Sequence, residues 1–366
     1  MKPKILIIGS TGKLGSKLLK YAYSNNIKIF AATCFNNKNK LLSQKSKYDL
    51  SKTFILSNQD ERDNFLKFLA SKISLIYFLD FGSSSLIYLN EFLKYNSKST
   101  IAIANKEMIV AGGRVLINSI KSSKNYLLPL DSEHFSLTKS LSNSNQNISK
   151  IFITASGGPF YFKKKINLKK VNLNSVLNHP KWKMGINNSI DSSNFINKIL
   201  EIFELSSIFQ IDLKKINFLV SKSAFVHSVV LYDDCVISIN AFTNNMLIPM
   251  ISPLKKFFNC NNIPNNFNKV LDTKNLKLEV YNDKRFKIIR HLKFLKTLGH
   301  SGQINFMLIN NLAQKLYLNN DLKYFDIPDF IINKLKKEKN SIEFNNIKEI
   351  LKYINSFKAK QYEKHR

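Results

Sequence analysis

The sequence predicts an α/β chain: an N-terminal Rossmann-like, doubly wound parallel sheet, a central α+β segment, and a small C-terminal helical domain. Three observations predict it. Short apolar runs alternate with helical patterns over the first third of the chain. A glycine-rich turn closes the first of those runs. Beyond about residue 284 the apolar spacing becomes helical, as at Ile288, Leu292 and Leu295.

Taken in order, Ile5-Leu6-Ile7-Ile8 reads as a buried parallel strand, a short apolar run ended by glycine. Residues 15–23 read as a helix and 27–33 as a second strand. A helix over 65–72, a strand at 75–79, a helix over 86–95 and strands at 100–104 and 127–130 continue the alternation. The middle segment, about 131–257, has a strand at 151–154, a Gly-Gly-Pro turn at 157–159 and a loop at about 178–190. A helix is expected from Ser192 to Phe209, then strands at 226–232 and 236–241 joined at Asp233-Asp234. Residues 258–283, rich in Asn and Pro, read as a linker. The expected division is therefore 1–130, 131–257, a linker over 258–283, and 284–366.

Composition narrows the function classes. Lys plus Arg is 56 and Asp plus Glu is 25, a formal net charge of +31. Such a chain attracts phosphates. Its basic residues are spread, as in 36–40 and Lys163-Lys164-Lys165, rather than gathered into a stripe with interleaved aromatics. AT-rich coding accounts for that pattern, and no nucleic-acid partner is expected. No apolar run is long enough to predict a membrane span. Cys34, Cys235 and Cys260 are far apart and form no CxxC pair, so neither a zinc ribbon nor a disulfide framework is supported. With no signal-peptide pattern before the first strand, the expected setting is cytoplasmic.

Gly9-Ser10-Thr11-Gly12-Lys13-Leu14-Gly15 follows a strand and opens a helix. Glycines there allow a tight turn and close backbone approach to a pyrophosphate, which the helix N–H groups then hold. A plain strand-to-helix turn is the alternative. A site for NAD usually places Asp or Glu after the second strand; this chain has Asn36, Asn37 and Lys38, and its first acidic residue is Asp49. A neutral and cationic cup suits the 2′-phosphate of NADP.

Asp131 and Glu133 stand two apart at a strand end. Glu201 shares a helical face with Asn197 and Lys198, at i−4 and i−3. Three carboxylates converging without Cys would suit Mg²⁺ or Mn²⁺; solvated surface groups are the alternative, and Glu204 is a rival ligand. Trp182, the one Trp, lies in a loop, where it either closes over a ligand or anchors the loop to the core. His227, within an apolar run, reads as a core histidine.

These motifs together resemble the 1-deoxy-D-xylulose 5-phosphate reductoisomerase family of the non-mevalonate isoprenoid pathway. The resemblance is collinear over nearly the whole chain. It is carried by GSTGKLG at 9–15, AIANKE at 102–107, LDSEH at 130–134, ASGGPF at 155–160, HPKWKMG at 179–185 and SIDSSNFINKILEIFE at 189–204. Residues 323–328 resemble the family's final helical domain more loosely. The resemblance implies NADPH, a divalent metal (Mg²⁺ or Mn²⁺, with Co²⁺ a further candidate), a small phosphorylated sugar as substrate, and a homodimer. It places the metal on Asp131, Glu133 and Glu201, which with Lys106 form the catalytic set. Substrate contacts fall on Lys106, Ser132, Glu133, Ser156, His179, Ser192, Asn197, Lys198 and Glu201. Cofactor contacts fall on Thr11, Gly12, Lys13, Leu14, Asn36, Asn37, Lys38, Asn105, Glu107 and Gly185. Trp182 and Met184 fall on the lid over the substrate.

The implied reaction is a rearrangement assisted by the metal, followed by hydride transfer from NADPH, giving 2-C-methyl-D-erythritol 4-phosphate. The chain departs from the family pattern at several points. Lys13 replaces a small Ser. The family's VGAAGL is Phe81-Gly82-Ser83-Ser84-Ser85-Leu86, which loses a glycine. Tyr161 ends the GGPFR motif, Ile186 and Asn187 follow the lid, and 221–224 and 244–247 differ from HPQS and PDMR. A divergent NADP-dependent oxidoreductase acting on another small phosphorylated substrate is the alternative reading.

Overall fold

The computed structural model describes residues 2–142, 147–178, 185–260 and 276–363. Its contacts divide the chain into two units, residues 1–135 with 245–265, and residues 136–244 with 266–366.

The first unit is a six-stranded parallel sheet. Its strands are β1 (Ile5–Ile8), β2 (Ala31–Cys34), β3 (Lys52–Ile55), β4 (Leu75–Phe78), β5 (Thr100–Ile103) and β6 (Tyr126–Pro129). They lie in the order β3-β2-β1-β4-β5-β6. Leu6 pairs with Ala31 on one side and Ile76 on the other. Every residue of β1, β2, β4 and β5 is buried, as expected of strands covered on both faces. The strand order reverses direction between β1 and β4, and at such a point open α/β sheets bind ligands in the crevice outside the carboxyl ends of the strands.

Two elements of this unit carry no apolar signature in the sequence. β3 is an edge strand with no fully buried residue, and the helix Lys38–Lys47 buries only Leu41 and Gln44. The helix expected over 65–72 runs instead over Gln59–Phe68. The Asn58 side chain caps it, accepting from Glu61 N at 2.9 Å. Residues 245–260 also join this unit. Met250, Leu254 and Cys260 enter the core beside Ile5, Leu18 and Tyr77. The Tyr77 hydroxyl donates to the Met250 carbonyl at 2.8 Å.

The second unit holds a mixed sheet of β7 (Ile148–Ala155), β8 (Ile216–Val220), β9 (Val226–Tyr232), β10 (Ile237–Ala241) and β11 (Glu279–Val280). The order is β10-β9-β7-β8-β11, with only β7 and β8 parallel. The connection from β7 to β8 carries the helices Ile186–Ser193 and Ile196–Phe209. The sequence reading of one helix from Ser192 to Phe209 is corrected here, because Phe195 breaks it with φ at 68°. A left-handed Phe costs on the order of 1–2 kcal/mol. Its ring packs against Phe286 at 4.8 Å, Tyr281 at 5.1 Å and Phe218 at 5.7 Å. Three such pairs at about 0.5–1.5 kcal/mol each offset the strain. The C-terminal helices are His300–Leu318, Ile327–Leu335 and Ile347–Glu363.

Phe203 and Phe306 join two of this unit's helices, edge to face at 5.6 Å, both fully buried. Phe203→Ala is expected to cost about 3–5 kcal/mol. Denaturant unfolding measures it, and a loss below about 1 kcal/mol would mean that this contact does not hold the helices.

Candidate active site

The first unit presents its candidate residues at the carboxyl ends of parallel strands. After β1, Gly9 turns the chain with φ at +84°. A Cβ on Gly15 would lie 2.5 Å from Gly9 O and Ser10 Cα, so glycine is needed for the helix Lys13–Ser24 to meet the strand. A Cβ on Gly12 would meet nothing closer than 3.4 Å. Gly12 and Lys13 are exposed, and Thr11 and Leu14 beside them are half-buried. The helix has no side-chain cap and no acidic residue in its first turn, which suits its N–H groups to an anion.

Sequence reasoning missed what holds this turn. Gln44 reaches in from the helix Lys38–Lys47. It accepts from Ser10 Oγ at 2.8 Å and donates to Ser10 O at 3.0 Å. Lys40 Nζ donates to Thr11 O at 2.7 Å. Neither residue stands out in the sequence, because a buried Gln in a polar helix has no pattern of its own. Asn36, Asn37 and Lys38 are exposed after β2, and Asn37 caps the same helix by accepting from Lys40 N at 3.2 Å.

After β5, Asn105 caps the helix Lys106–Ser122. Its Oδ1 accepts from Met108 N at 3.0 Å, and its Nδ2 donates to Gly82 O at 2.9 Å and Asp80 Oδ1 at 3.2 Å. Glu107, the second residue of that helix, is buried. Asp80, just past β4, was not singled out from sequence. Burial pushes its carboxyl up to about 6, against the pull of hydrogen bonds from Ser85 and Asn105. Lys106 Nζ lies 3.2 Å from Asp131 Oδ2, and His134 Nδ1 lies 3.6 Å from Asp131 Oδ1. Asp131 follows β6, and Ser132 and Glu133 open the helix Ser132–Ser142.

In the second unit, Glu201 and Lys198 pair on the helix Ile196–Phe209, and Asn197 Nδ2 donates to Glu201 Oε1. The expected shared face is therefore present. Both Lys198 and Glu201 are buried, and Lys198 Nζ also donates to Thr154 O at 2.5 Å. Glu204, the rival ligand, is fully buried one turn further on. Beyond β7, a Cβ on Gly158 would stand 2.7 Å from Ser192 O. That approach brings the Ala155–Phe160 turn against the end of the helix Ile186–Ser193. Ser156, Ser192 and Asn197 remain partly accessible among buried neighbours. Asp191 is buried and accepts from Asn310 Nδ2 at 3.0 Å, and Gln314 Nε2 donates to it as well, fixing that helix. Gly185 is exposed at its head. His179, Trp182 and Met184 lie outside the described residues. His227 is buried and stacks on Phe242 at 3.9 Å.

A glycine turn at the reversal point of a parallel sheet and a non-acidic loop after β2 are the marks of a dinucleotide-dependent oxidoreductase, and each unit sets a carboxylate beside a lysine. A sequence model of the 1-deoxy-D-xylulose 5-phosphate reductoisomerase C-terminal domain matches residues 127–209. The 1-deoxy-D-xylulose 5-phosphate reductoisomerase of Pelagibacter ubique is 31% identical over 380 residues, covering 94% of this chain and 93% of that one. That of Clostridium novyi is 31% identical and covers 96% of each. A crystal structure of DOX-P reductoisomerase in complex with NADPH, fosmidomycin and magnesium superposes with a TM-score of 0.85 at 22% identity, covering 98% of this chain and 96% of that one. The enzyme from Zymomonas mobilis in complex with NADPH gives 0.79 at 22%, with 97% of each chain covered. The chain belongs to the 1-deoxy-D-xylulose 5-phosphate reductoisomerase family. The fold and family expected from the sequence are borne out.

Gln44→Ala removes the amide donor to the buried Ser10 carbonyl, to which the Ser16 hydroxyl still donates at 3.3 Å. It is expected to cost about 0.5–1.5 kcal/mol of stability, the net worth of a hydrogen bond. It should also raise the Kd for NADPH while sparing turnover at saturating cofactor. Thermal melts and a cofactor titration check both.

Proposed function

We propose that the chain converts 1-deoxy-D-xylulose 5-phosphate to 2-C-methyl-D-erythritol 4-phosphate, using NADPH and a divalent metal, as a step in isoprenoid precursor biosynthesis. The observation that carries the reading is the buried Lys198–Glu201 pair on one helix, joined by the half-buried Asn197. A carboxylate out of water is costly unless cations and donors replace its hydration.

The residues fit both groups. The donor set is all carboxylate, which suits Mg²⁺ or Mn²⁺ and also accommodates Co²⁺. Asp131, Glu133 and Glu201 are the proposed ligands. When bound, the cation supplies Lewis-acid polarisation of the substrate's ketone. The exposed backbone at Gly12 and the uncapped helix behind it suit a pyrophosphate. Thr11 to Leu14 would receive it, Asn36, Asn37 and Lys38 would take the 2′-phosphate, and Asn105, Glu107 and Gly185 would complete the cofactor site.

The remaining residues bind and orient. Lys106, held beside Asp131, stabilises negative charge that develops on the substrate's oxygens. Ser132, Ser156, Ser192 and Asn197 supply hydroxyl and amide hydrogen bonds to phosphate and hydroxyl groups, and Lys198 supplies a cationic head. His179 and the lid segment with Trp182 would complete the substrate site and exclude water.

A homodimer and a cytoplasmic setting belong to the same proposal. Among the described residues no helix is long and apolar enough to cross a membrane. β10 is an edge strand, and it exposes Ile237 at 59% and Ile239 at 53%. An apolar, unpaired edge invites a second strand, and a two-fold axis would supply the same strand from a second copy. Light scattering is expected to show a dimer, and Ile237→Lys with Ile239→Lys is expected to shift it to monomer.

The reaction is tested by following NADPH absorbance with 1-deoxy-D-xylulose 5-phosphate and Mn²⁺ or Mg²⁺. Oxidation should cease with chelator. Glu201→Gln should lower kcat by about a hundredfold or more, as loss of a group that stabilises transition-state charge does. A folded protein that binds NADPH yet oxidises none of it with this substrate would refute the assignment.

A further inference from the structure

Asp80 stands at the crevice without a place in the proposed reaction. It lies two residues past β4, at the carboxyl edge where the strand order reverses beside β1. A Cβ built on Gly9 would fall 2.7 Å from Asp80 N and 2.9 Å from Asp80 Cβ. The stem of Asp80 is thus packed against the turn proposed to receive the pyrophosphate.

Its two oxygens tie down the other wall of the crevice. Oδ1 accepts from Asn105 Nδ2 at 3.2 Å, and Oδ2 accepts from Ser85 Oγ. Ser85 is where the family pattern has glycine, so this departure puts a hydroxyl onto the carboxylate. Its φ of −66° is ordinary for any residue, so the loss of glycine brings no strain there. Asn105 cannot turn round to serve a different role. Its Oδ1 is committed to Met108 N and its Nδ2 also donates to Gly82 O.

Among the described residues no cation forms an ion pair with this carboxylate. Lys106 and Glu107 head the helix Lys106–Ser122, with Glu107 Oε2 3.7 Å from where a Cβ on Gly82 would stand. Tyr88, on the helix Leu86–Tyr95, has its pKa raised chiefly by burial, with Arg62 lowering it and the Asp80 charge adding a smaller rise. Lys13 heads the exposed start of the helix Lys13–Ser24. What sets the Asp80 pKa is burial together with hydrogen bonds, not any of these charges.

We propose that Asp80 is a positioning residue for the dinucleotide, one that holds the β4 and β5 loops in place and takes up a proton when the pyrophosphate binds beside it. The inference rests on the cofactor reading above and deepens it. Pyrophosphate charge next to a desolvated carboxylate disfavours the ionised form. The carboxyl is already about 6, so one proton from solvent relieves the repulsion near neutral pH. Binding and protonation are then linked, and affinity falls as pH rises through the Asp80 pKa.

Protonated Asp80 keeps both hydrogen bonds: Oδ1 still accepts from Asn105, and the new O–H donates to Ser85 Oγ. Asp80→Asn reproduces that arrangement, with the amide donating to Ser85. A structural role alone therefore predicts that the variant binds cofactor as the wild type does at every pH. The linked role predicts otherwise.

The test is calorimetric titration of the full chain with NADPH from pH 5.5 to 8.5, for wild type and Asp80→Asn. The cofactor's 2′-phosphate also titrates in this range, but it does so for both proteins and cancels in the ratio of their Kd values. That ratio is expected to be near one at pH 5.5 and to reach about tenfold, in favour of the variant, at pH 8, the effect of a one-unit rise in pKa on binding. Wild type should also take up more protons than the variant near pH 6.5, read from the enthalpy in two buffers of different ionisation heat. If the variant fails to fold, the wild-type proton count against pH alone must still show an uptake centred above pH 6, beyond what the 2′-phosphate supplies. A flat ratio, or equal proton uptake, overturns the role of Asp80. A folded wild type that binds no NADPH overturns the cofactor reading instead.

Discussion

A carboxylate moved out of water must be given something in place of its hydration, and much of this chain's chemistry follows from how it meets that requirement. Asp131 is given the Lys106 ammonium and the His134 ring. Glu201 is given Lys198 and the Asn197 amide. Asp191 is given two side-chain amides, from Asn310 and Gln314. Asp80 is given one hydroxyl and one amide. At Asp80 burial outweighs the two neutral donors and pushes the carboxyl up to about 6.

How much of this was legible in the sequence depends on the range of the interaction. β1 and the turn after it were plain, because an apolar run, three glycines and a helix start lie within fifteen residues. The helical face at Asn197, Lys198 and Glu201 was equally plain, since i−4 and i−3 spacing is a property of one helix. The break at Phe195 was not. Its left-handed backbone is held by rings from β8 and from residues 281 and 286, which local spacing cannot report. Residues 245–260 carry an ordinary apolar pattern, and nothing in it says which core they enter. The Tyr77 to Met250 bond that fixes the answer spans 173 residues. Asp80 and Gln44 were missed for the same reason: each is a polar residue whose meaning lies in what it touches.

The basic surplus has a physical consequence even where composition explains its origin. Lysines spread over the surface raise the potential felt by any phosphorylated ligand, which steers it inward at low ionic strength. With only 25 acidic residues in the chain, a buried carboxylate is conspicuous against that background. The lysines paired with Asp131 and Glu201 come from motifs, whereas Lys38 and Lys40 remain at the surface. Lys106 and Lys198 are nearly enclosed, with 12% and 6% of their side chains exposed. Lys38 and Lys40 are exposed. Charge alone would not separate the two groups, but burial does.

The glycines separate composition from constraint more sharply still. Left-handed backbone just past a helix end usually falls to glycine. Here it falls to Asn26, Lys124, Gln210 and Asn320, with φ between 55° and 66°. Each of these costs on the order of 1 kcal/mol relative to glycine. A surface cap tolerates that, because a Cβ there strains only its own residue. At Gly9 and Gly158 the added Cβ would come within 2.7 Å of another segment's backbone, and no shift of a flexible side chain relieves such a contact. At those two turns the chain has glycine. The first shapes the turn proposed for the pyrophosphate, and the second brings the Ala155–Phe160 turn against Ser192. A chain whose composition runs to Lys, Asn and Ile thus carries glycine where backbone must meet backbone, and those meeting points are the walls of its proposed sites.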